Sequence, residues 1–249
     1  MGADDALTAN EFRCTWSIVS HGQGGLVAKL LGDLDILQPR DFEVVVTLNV
    51  PEAEPRLSGY SYPVRIIRNA VPKGFGANHN QAFRHSRADL FAVVNPDIRI
   101  GNLSAAALEA RFEDSRVAIC APAVVDGSGA TQDSARRFPT VGSLARRVWS
   151  SRIASDYDHG AAPMEVDWVA GMFMLIRRSA FADVGGFDER RFFMYYEDVD
   201  LCRRLSDRGW KIVLQPNTSV IHEAQRASHR NAKHLRWHVS SAVRYLTGL

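Results

Sequence analysis

Directly behind an aromatic cluster, the segment Phe193–Gly209 (FMYYEDVDLCRRLSDRG) carries three carboxylates, Glu197, Asp198 and Asp200. Acids at its start, Arg203, Arg204 and Arg208 further on, and Gly209 at its end spell a helix whose dipole is matched at both termini. Capping alone does not need all three acids. A carboxylate at a helix start beneath aromatic rings is partly desolvated, which lifts its pKa toward the range useful for taking a proton from a hydroxyl. Asp198 is the first candidate for such a general base and Glu197 the second.

A different chemistry is offered by Asn95-Pro96-Asp97, which ends the apolar run LFAVV. Strand carboxyl ends are where open α/β sheets bind ligands. Mg²⁺ or Mn²⁺ takes one or two protein oxygens and completes its shell with diphosphate oxygens, so Asp97 helped by Asn95 is chemically sufficient. The same tripeptide is also a good turn. His222 closes the late apolar run SVIH. It becomes a metal ligand only if that strand end folds back beside Asp97, and is otherwise a structural histidine.

The stretch Asn69–Asn80 (NAVPKGFGANHN) follows the strand-like VRII and precedes a helix. Its glycines would let backbone approach a ligand and its amides would face phosphate. The third glycine of a dinucleotide fingerprint is missing, and the loop follows the third strand, which argues against such a cofactor. Arg136, Arg137, Arg146 and Arg147 offer contacts to an anionic acceptor or lipid surface, although paired arginines are commonly solvated faces. In the tail, Leu235, Val239, Ala242, Val243 and Leu246 fall near one helical face, with Trp237 and Tyr245 close by. Packing of that face on the domain is expected, with peripheral membrane contact as the alternative.

Bringing these groups to one edge is the work of the elements between them. β-branched runs at Thr15–Ser20, Phe42–Thr47, Val64–Ile67 and Leu90–Asn95 alternate with helical segments at Leu26–Leu37 and Asn78–His85, the pattern of βαβ units. Continuous apolar runs such as LFAVV suit strands covered on both faces. After Val117–Ala121 come a turn at Asp126–Gly129 and a loop at Asp156–Pro163, then the strand-like WVAGMFMLIRR, KIVLQP and VIH. One domain is expected over 1–249: a nucleotide-binding half over about 13–125, an acceptor and catalytic half over about 126–225, and a helical tail over about 226–249.

A length of 249 residues, 46% hydrophobic and 23% charged, suits a single α/β core, and a net charge of +2 gives no support for nucleic-acid binding. Cys14, Cys120 and Cys202 are odd in number and scattered, so buried thiols are expected in place of disulfides or a zinc site. The acidic start MGADDALTANEF lacks an apolar core, and no stretch reaches the roughly 18 apolar residues of a membrane span. A cytoplasmic protein is expected, extending to the inner face of the membrane if the tail makes peripheral contact.

Taken in order, the strand ending at Ser20, the N…KGFG…N loop, NPD, WVAGMFMLIRR, VGGFDERRFFMYYEDVDLCRRL and His222 resemble glycosyltransferase family 2, in particular its bacterial rhamnosyltransferase-like branch. The resemblance runs from about Thr15 to His222. It implies an α/β GT-A fold, a Rossmann-like nucleotide-diphospho-sugar transferase architecture with a mixed central sheet flanked by helices. It also implies an inverting hexosyl transfer, assisted by Mg²⁺ or Mn²⁺, from a dTDP- or UDP-sugar, rhamnose by analogy with the branch. The acceptor implied is a hydroxyl of a cell-envelope glycan or lipid-linked saccharide.

By the same resemblance Asp97 and His222 hold the metal, Asn95 stands where a DXD-like element has its first acid, and Asp198 is the base. Ser20, Asn49 and Asn69 fall among the nucleotide-sugar contacts; Lys73, Gly74, Gly76 and Asn78 frame the donor; Trp168 and Gly171 line the sugar site. Two departures stand out. Leu48 occupies the position where the family commonly has an aspartate that contacts the nucleobase, and SHGQGG replaces an aromatic-Asn pair after the first strand. They define the alternative reading, a catalytically degenerate nucleotide-sugar-binding relative. A sugar-phosphate nucleotidylyltransferase would need a basic glycine-rich loop after the first strand, and SHGQGG is not basic.

Overall fold

The apolar runs fold into the strands they spell, and their order brings the candidate residues to one edge. The structure, a computed structural model, describes residues 12–37, 41–54, 59–140, 142, 156–157, 160, 162–223 and 232–248. Arg146 and Arg147 lie outside the described residues. Strands β1 (Cys14–Ser20), β2 (Phe42–Leu48), β3 (Val64–Arg68) and β4 (Leu90–Val94) pair in parallel in the order β3-β2-β1-β4. The chain steps outward from β1 to β3 and then returns to β4 on the other side of β1. That reversal opens a crevice at the carboxyl ends of β1 and β4, where Ser20 and Asn95 sit.

Beyond β4 the sheet becomes mixed. The short β5 (Ile98–Arg99) is followed by β6 (Val117–Val125), β7 (Ala135–Arg136), β8 (Met164–Val166), β9 (Trp168–Val169), β10 (Phe173–Arg177) and β11 (Lys211–His222). β10 runs antiparallel between β4 and β6, β11 lies parallel to β6, and β5 and β8 pair antiparallel with β11, giving a nine-stranded sheet among the described residues. KIVLQP and VIH, separate in the sequence reading, are one strand. Its register with β6 shifts between Gln215 and Ser219, around Pro216, which cannot donate to the ladder. β7 and β9 form a separate two-stranded sheet that brings Arg136 opposite Trp168.

Helices cover both faces. α1 (Gly24–Leu34) buries Val27, Leu30, Leu31 and Leu34, the i, i+3, i+4, i+7 pattern, against Trp16, Ile18, Ala92 and Val94. α3 (Ala105–Glu109) adds Leu108 to that layer. On the other face α2 (Phe75–His85), α4 (Arg178–Asp183) and α5 (Glu197–Ser206) supply Ala82, Phe181, Leu201 and Leu205 against Val45, Phe91 and Val93. Alternate residues of β4 thus point into two separate apolar layers, which is why its sequence is continuously apolar. All three cysteines are buried free thiols, as expected.

α6 (Ala232–Thr247) departs from the sequence reading. Its packed face carries Trp237, Ser241, Ala242 and Tyr245, while Leu235, Val239, Val243 and Leu246 are 67%, 54%, 52% and 37% exposed. Aromatic contacts with the Phe193–Tyr196 segment outweigh burial of the aliphatic stripe, because large rings offer more area per residue than valines.

Candidate active site

Asp97 and His222 reach each other through β5. Ile98 pairs with His222 in the β5–β11 ladder, and the Glu223 N–H donates to the Asp97 carbonyl at 2.9 Å. His222 Nε2 consequently lies 3.3 Å from Asp97 Oδ2, and His222 Nδ1 lies 2.9 Å from Gln132 Oε1, which orients the ring. Asp97 Oδ1 is buried without a hydrogen-bond partner. A buried, unmatched carboxylate oxygen beside an imidazole nitrogen is a donor set suited to a divalent cation. Among the described residues no third His, Cys, Asp or Glu joins them, so a cation would take its remaining ligands from a diphosphate or water. Asn95 is joined to the sheet by its N–H, which donates to the Met172 carbonyl at 3.0 Å.

The acids at the start of α5 divide by environment. Asp200 is buried and paired with Arg204 (2.7 Å) and Arg191 (3.4 Å), and Arg204 also donates to the carbonyls of Val184 and Gly186. It is a structural ion-pair hub. Asp198 Oδ2 accepts the Gly171 N–H at 3.0 Å, and its Oδ1 accepts the Val199 N–H at 2.9 Å. Desolvation lifts its pKa, opposed by these N–H groups and by Arg136. Glu197 is buried, its Oε2 has no partner, and desolvation with the neighbouring Asp198 charge pushes its pKa well above the usual carboxylate range. The two environments push the acids apart: Asp198 is furnished to carry the charge and Glu197 to stay protonated.

The loop that presents them is strained. Tyr195 and Tyr196 have φ of 69° and 67°, a left-handed conformation unusual for two consecutive aromatic residues. It is held from outside. Tyr195 Oη lies 2.9 Å from His234 Nδ1, Ser241 Oγ donates to the Met194 carbonyl at 2.9 Å, and Tyr196 packs on His238 and Tyr245. From the other side the Phe75 N–H donates to the Phe193 carbonyl at 2.9 Å.

That contact changes the reading of the glycine loop. A Cβ on Gly74 would run into the Phe193 carbonyl, and one on Gly76 would lie 2.6 Å from Phe187 Cβ. Both glycines are thus required by close approach of the protein to itself, and the Phe75 amide is engaged and not free for phosphate. The asparagines act likewise. Asn69 Nδ2 donates to Asn49 Oδ1 (2.9 Å) and Asn78 Oδ1 (2.6 Å), Asn49 brackets the Lys73 backbone at both N–H and carbonyl, and Asn78 donates to the Gly74 carbonyl. Asn69 Oδ1 is left buried without a partner. Lys73 Nζ donates to Gln81 Oε1 at 2.5 Å.

Trp168 donates from Nε1 to the Arg137 carbonyl, and the Arg136 guanidinium sits 5.8 Å above its ring. Gly171 packs under the Phe75 ring, where a Cβ would lie 3.1 Å from Cζ. Ser20 Oγ donates to Glu52 Oε2 at 2.8 Å, and the Gly22 N–H donates to Oε1 at 3.1 Å. Glu52 and Gln132, the partners of candidate residues Ser20 and His222, were not disclosed by the sequence: both come from irregular segments with no spacing signal. Leu48 is buried in the core, and the carboxylate at this end of β1 is Glu52.

The sequence model of the glycosyltransferase-like family 2 matches residues 43–240. The chain belongs to this family. Among curated relatives it is 30% identical over 255 residues to an N-acetylglucosaminyl-diphospho-decaprenol L-rhamnosyltransferase of Mycobacterium tuberculosis, covering 92% of this chain and 82% of that protein. It is 32% identical over 251 residues to the rhamnosyltransferase WbbL of Escherichia coli, covering 92% and 90%. Two solved structures share the fold. GalNAc-T7 with UDP, GalNAc and Mn²⁺ superposes with a TM-score of 0.66 at 15% identity, over 87% of this chain and 45% of that one. The mannosyltransferase PcManGT of Pyrobaculum calidifontis, with GDP-Man and Mn²⁺, gives 0.60 at 16%, over 93% and 64%. The mixed sheet and its helices are those of a GT-A glycosyltransferase.

Proposed function

We propose that this glycosyltransferase moves rhamnose, with inversion, from a dTDP- or UDP-linked donor to a hydroxyl of a lipid-linked saccharide of the cell envelope, assisted by Mg²⁺ or Mn²⁺. The observation that carries the reading is the convergence of Asp97–His222 and Asp198 on one sheet edge. Asn95, two residues before Asp97, is hydrogen-bonded to Met172, and Gly171 next to it holds Asp198. Asp97 and His222 would hold the cation, which supplies positive charge against the departing diphosphate. Asp198, fixed by two N–H groups and flanked by a neutral Glu197, takes the acceptor proton as that oxygen attacks the anomeric carbon from the face opposite the diphosphate. Gly171 touches that acid and Trp168 packs on the Phe192–Tyr196–Val199 cluster around it, and the two would bound the space for the transferred sugar. The named activities of the two rhamnosyltransferases support the donor sugar, and the first supports a polyprenyl-diphosphate acceptor. Mn²⁺ in both structural neighbours supports the metal.

The test is direct transfer. The protein is incubated with dTDP-rhamnose or UDP-sugars, Mn²⁺ and a prenyl-diphosphate N-acetylglucosamine, and the product's anomeric configuration is read by NMR. An inverted rhamnosyl product supports the reading. Retention of configuration, or transfer only of a different sugar, contradicts it. Donor binding without any turnover favours the degenerate relative.

A further inference from the structure

The two faces of α6 do different things. One grips the loop carrying the acids, through His234, Trp237, Ser241 and Tyr245. The other leaves Leu235, Val239, Val243 and Leu246 bare, an aliphatic stripe at i, i+4, i+8 and i+11 that lies along one line of a helix. Other exposed aliphatics, Ile36 and Val71, are isolated in the sequence, as is ordinary for a protein surface.

We propose that α6 lies flat on an anionic bilayer, with this stripe inserted between headgroups and the site held at the membrane surface. Charge selects this occupant. No Asp or Glu occurs from Ala224 to Leu249, whereas Arg226, Arg230, Lys233, Arg236 and Arg244 do. Exposed Arg236 lies about 100° round the helix from Leu235 and so borders the stripe. An apolar stripe bordered by Arg236, in a segment rich in arginine and lysine and without an acid, is the composition of interfacial helices that bind anionic lipid. With 16 residues the helix is too short to span a bilayer, and no described helix is long and apolar enough to do so. The proposal rests on the lipid-linked acceptor reading for its purpose: the helix that meets the lipid also braces the loop bearing the proposed base, so the acid pair sits beside the layer in which a lipid-linked acceptor's headgroup lies.

The test is co-sedimentation of the whole chain with phosphatidylcholine vesicles made with and without phosphatidylglycerol. Binding is expected only with phosphatidylglycerol and should weaken as salt rises. Leu235→Ser/Val239→Ser/Val243→Ser should weaken it at least about tenfold, and Arg236→Ala about fivefold. Nucleotide-diphosphate binding in solution, unchanged in both variants, reports that they fold. The proposal is overturned if the wild-type chain ignores anionic vesicles or if the triple variant binds them as well. It is also overturned if the stripe instead drives a concentration-dependent dimer, seen by sedimentation velocity and lost in the triple variant. Vesicle binding without transfer to a lipid-linked acceptor would sustain the docking surface and remove the acceptor reading.

Discussion

Oδ2 of Asp198 accepts the Gly171 N–H at 3.0 Å, fastening the acid at the start of α5 to the residue that leads into β10. Because β10 pairs with β4, the same link sets this acid relative to Asn95 and Asp97. Asp198→Asn keeps the shape and can still accept one of the two N–H groups, but cannot take a proton. Turnover should fall about 10²–10⁴-fold while donor binding is retained. An Asp198→Asn enzyme with near wild-type turnover would remove Asp198 from the role of base.

The raised pKa of Asp198 has a kinetic consequence. As the proposed base, Asp198 would work ionised, so kcat/KM should drop as pH falls through its pKa, and desolvation places that limb above the ordinary aspartate value of about 3.9. A pH–rate profile in which activity is flat down to about pH 4 would contradict this placement.

Gly74 has no room for a side chain: its Cβ would meet the Phe193 carbonyl and lie 2.9 Å from Phe193 Cα. Gly74→Ala must therefore displace the backbone just before the left-handed Tyr195–Tyr196 pair. A loss of about 1–3 kcal/mol in urea unfolding is expected, with a larger proportional loss of turnover than of donor affinity. Wild-type stability and turnover together would show that the loop can shift freely.

His79 is fully buried between Phe75 and Phe187, with Nδ1 2.8 Å from Ser17 Oγ, and burial pushes its pKa down to about 3. The unfolded chain protonates near pH 6.5 and the folded one does not. The neutral ring's contribution is thus complete above about pH 6.5 and is lost as pH falls below it. The stability of wild type relative to His79→Leu should fall by about 2 kcal/mol between pH 7 and pH 5. A gap independent of pH in urea titrations would mean that His79 is accessible to protons.

Much of this was written in the residues. The four parallel strands, the i, i+3, i+4, i+7 stripe of α1 and the acid-to-arginine gradient of α5 are local patterns, and local patterns survive folding. Asp97 was legible as a strand-end acid; its pairing with His222 depended on β11 folding back beside β5, a long-range event with no local signal. The glycine loop was only half legible for a physical reason: absence of a Cβ marks close approach but not what approaches, and at Gly74 and Gly76 it is Phe193 and Phe187. Three asparagines that resembled ligand contacts are largely engaged with one another and the loop backbone. The helical tail was legible as amphipathic, but period alone does not say which face packs, and aromatic partners on the Phe193–Tyr196 segment decided it.

A metal-diphosphate site is proposed at Asp97 and His222. It is tested most directly by calorimetric titration of the protein with UDP, dTDP and GDP, each with and without Mn²⁺, repeated with Asp97→Ala and His222→Ala. The expected result is Mn²⁺-dependent binding of dTDP or UDP that is lost with Asp97→Ala and weakened with His222→Ala. Binding of none of the three, or binding indifferent to Mn²⁺ and to both substitutions, would contradict it.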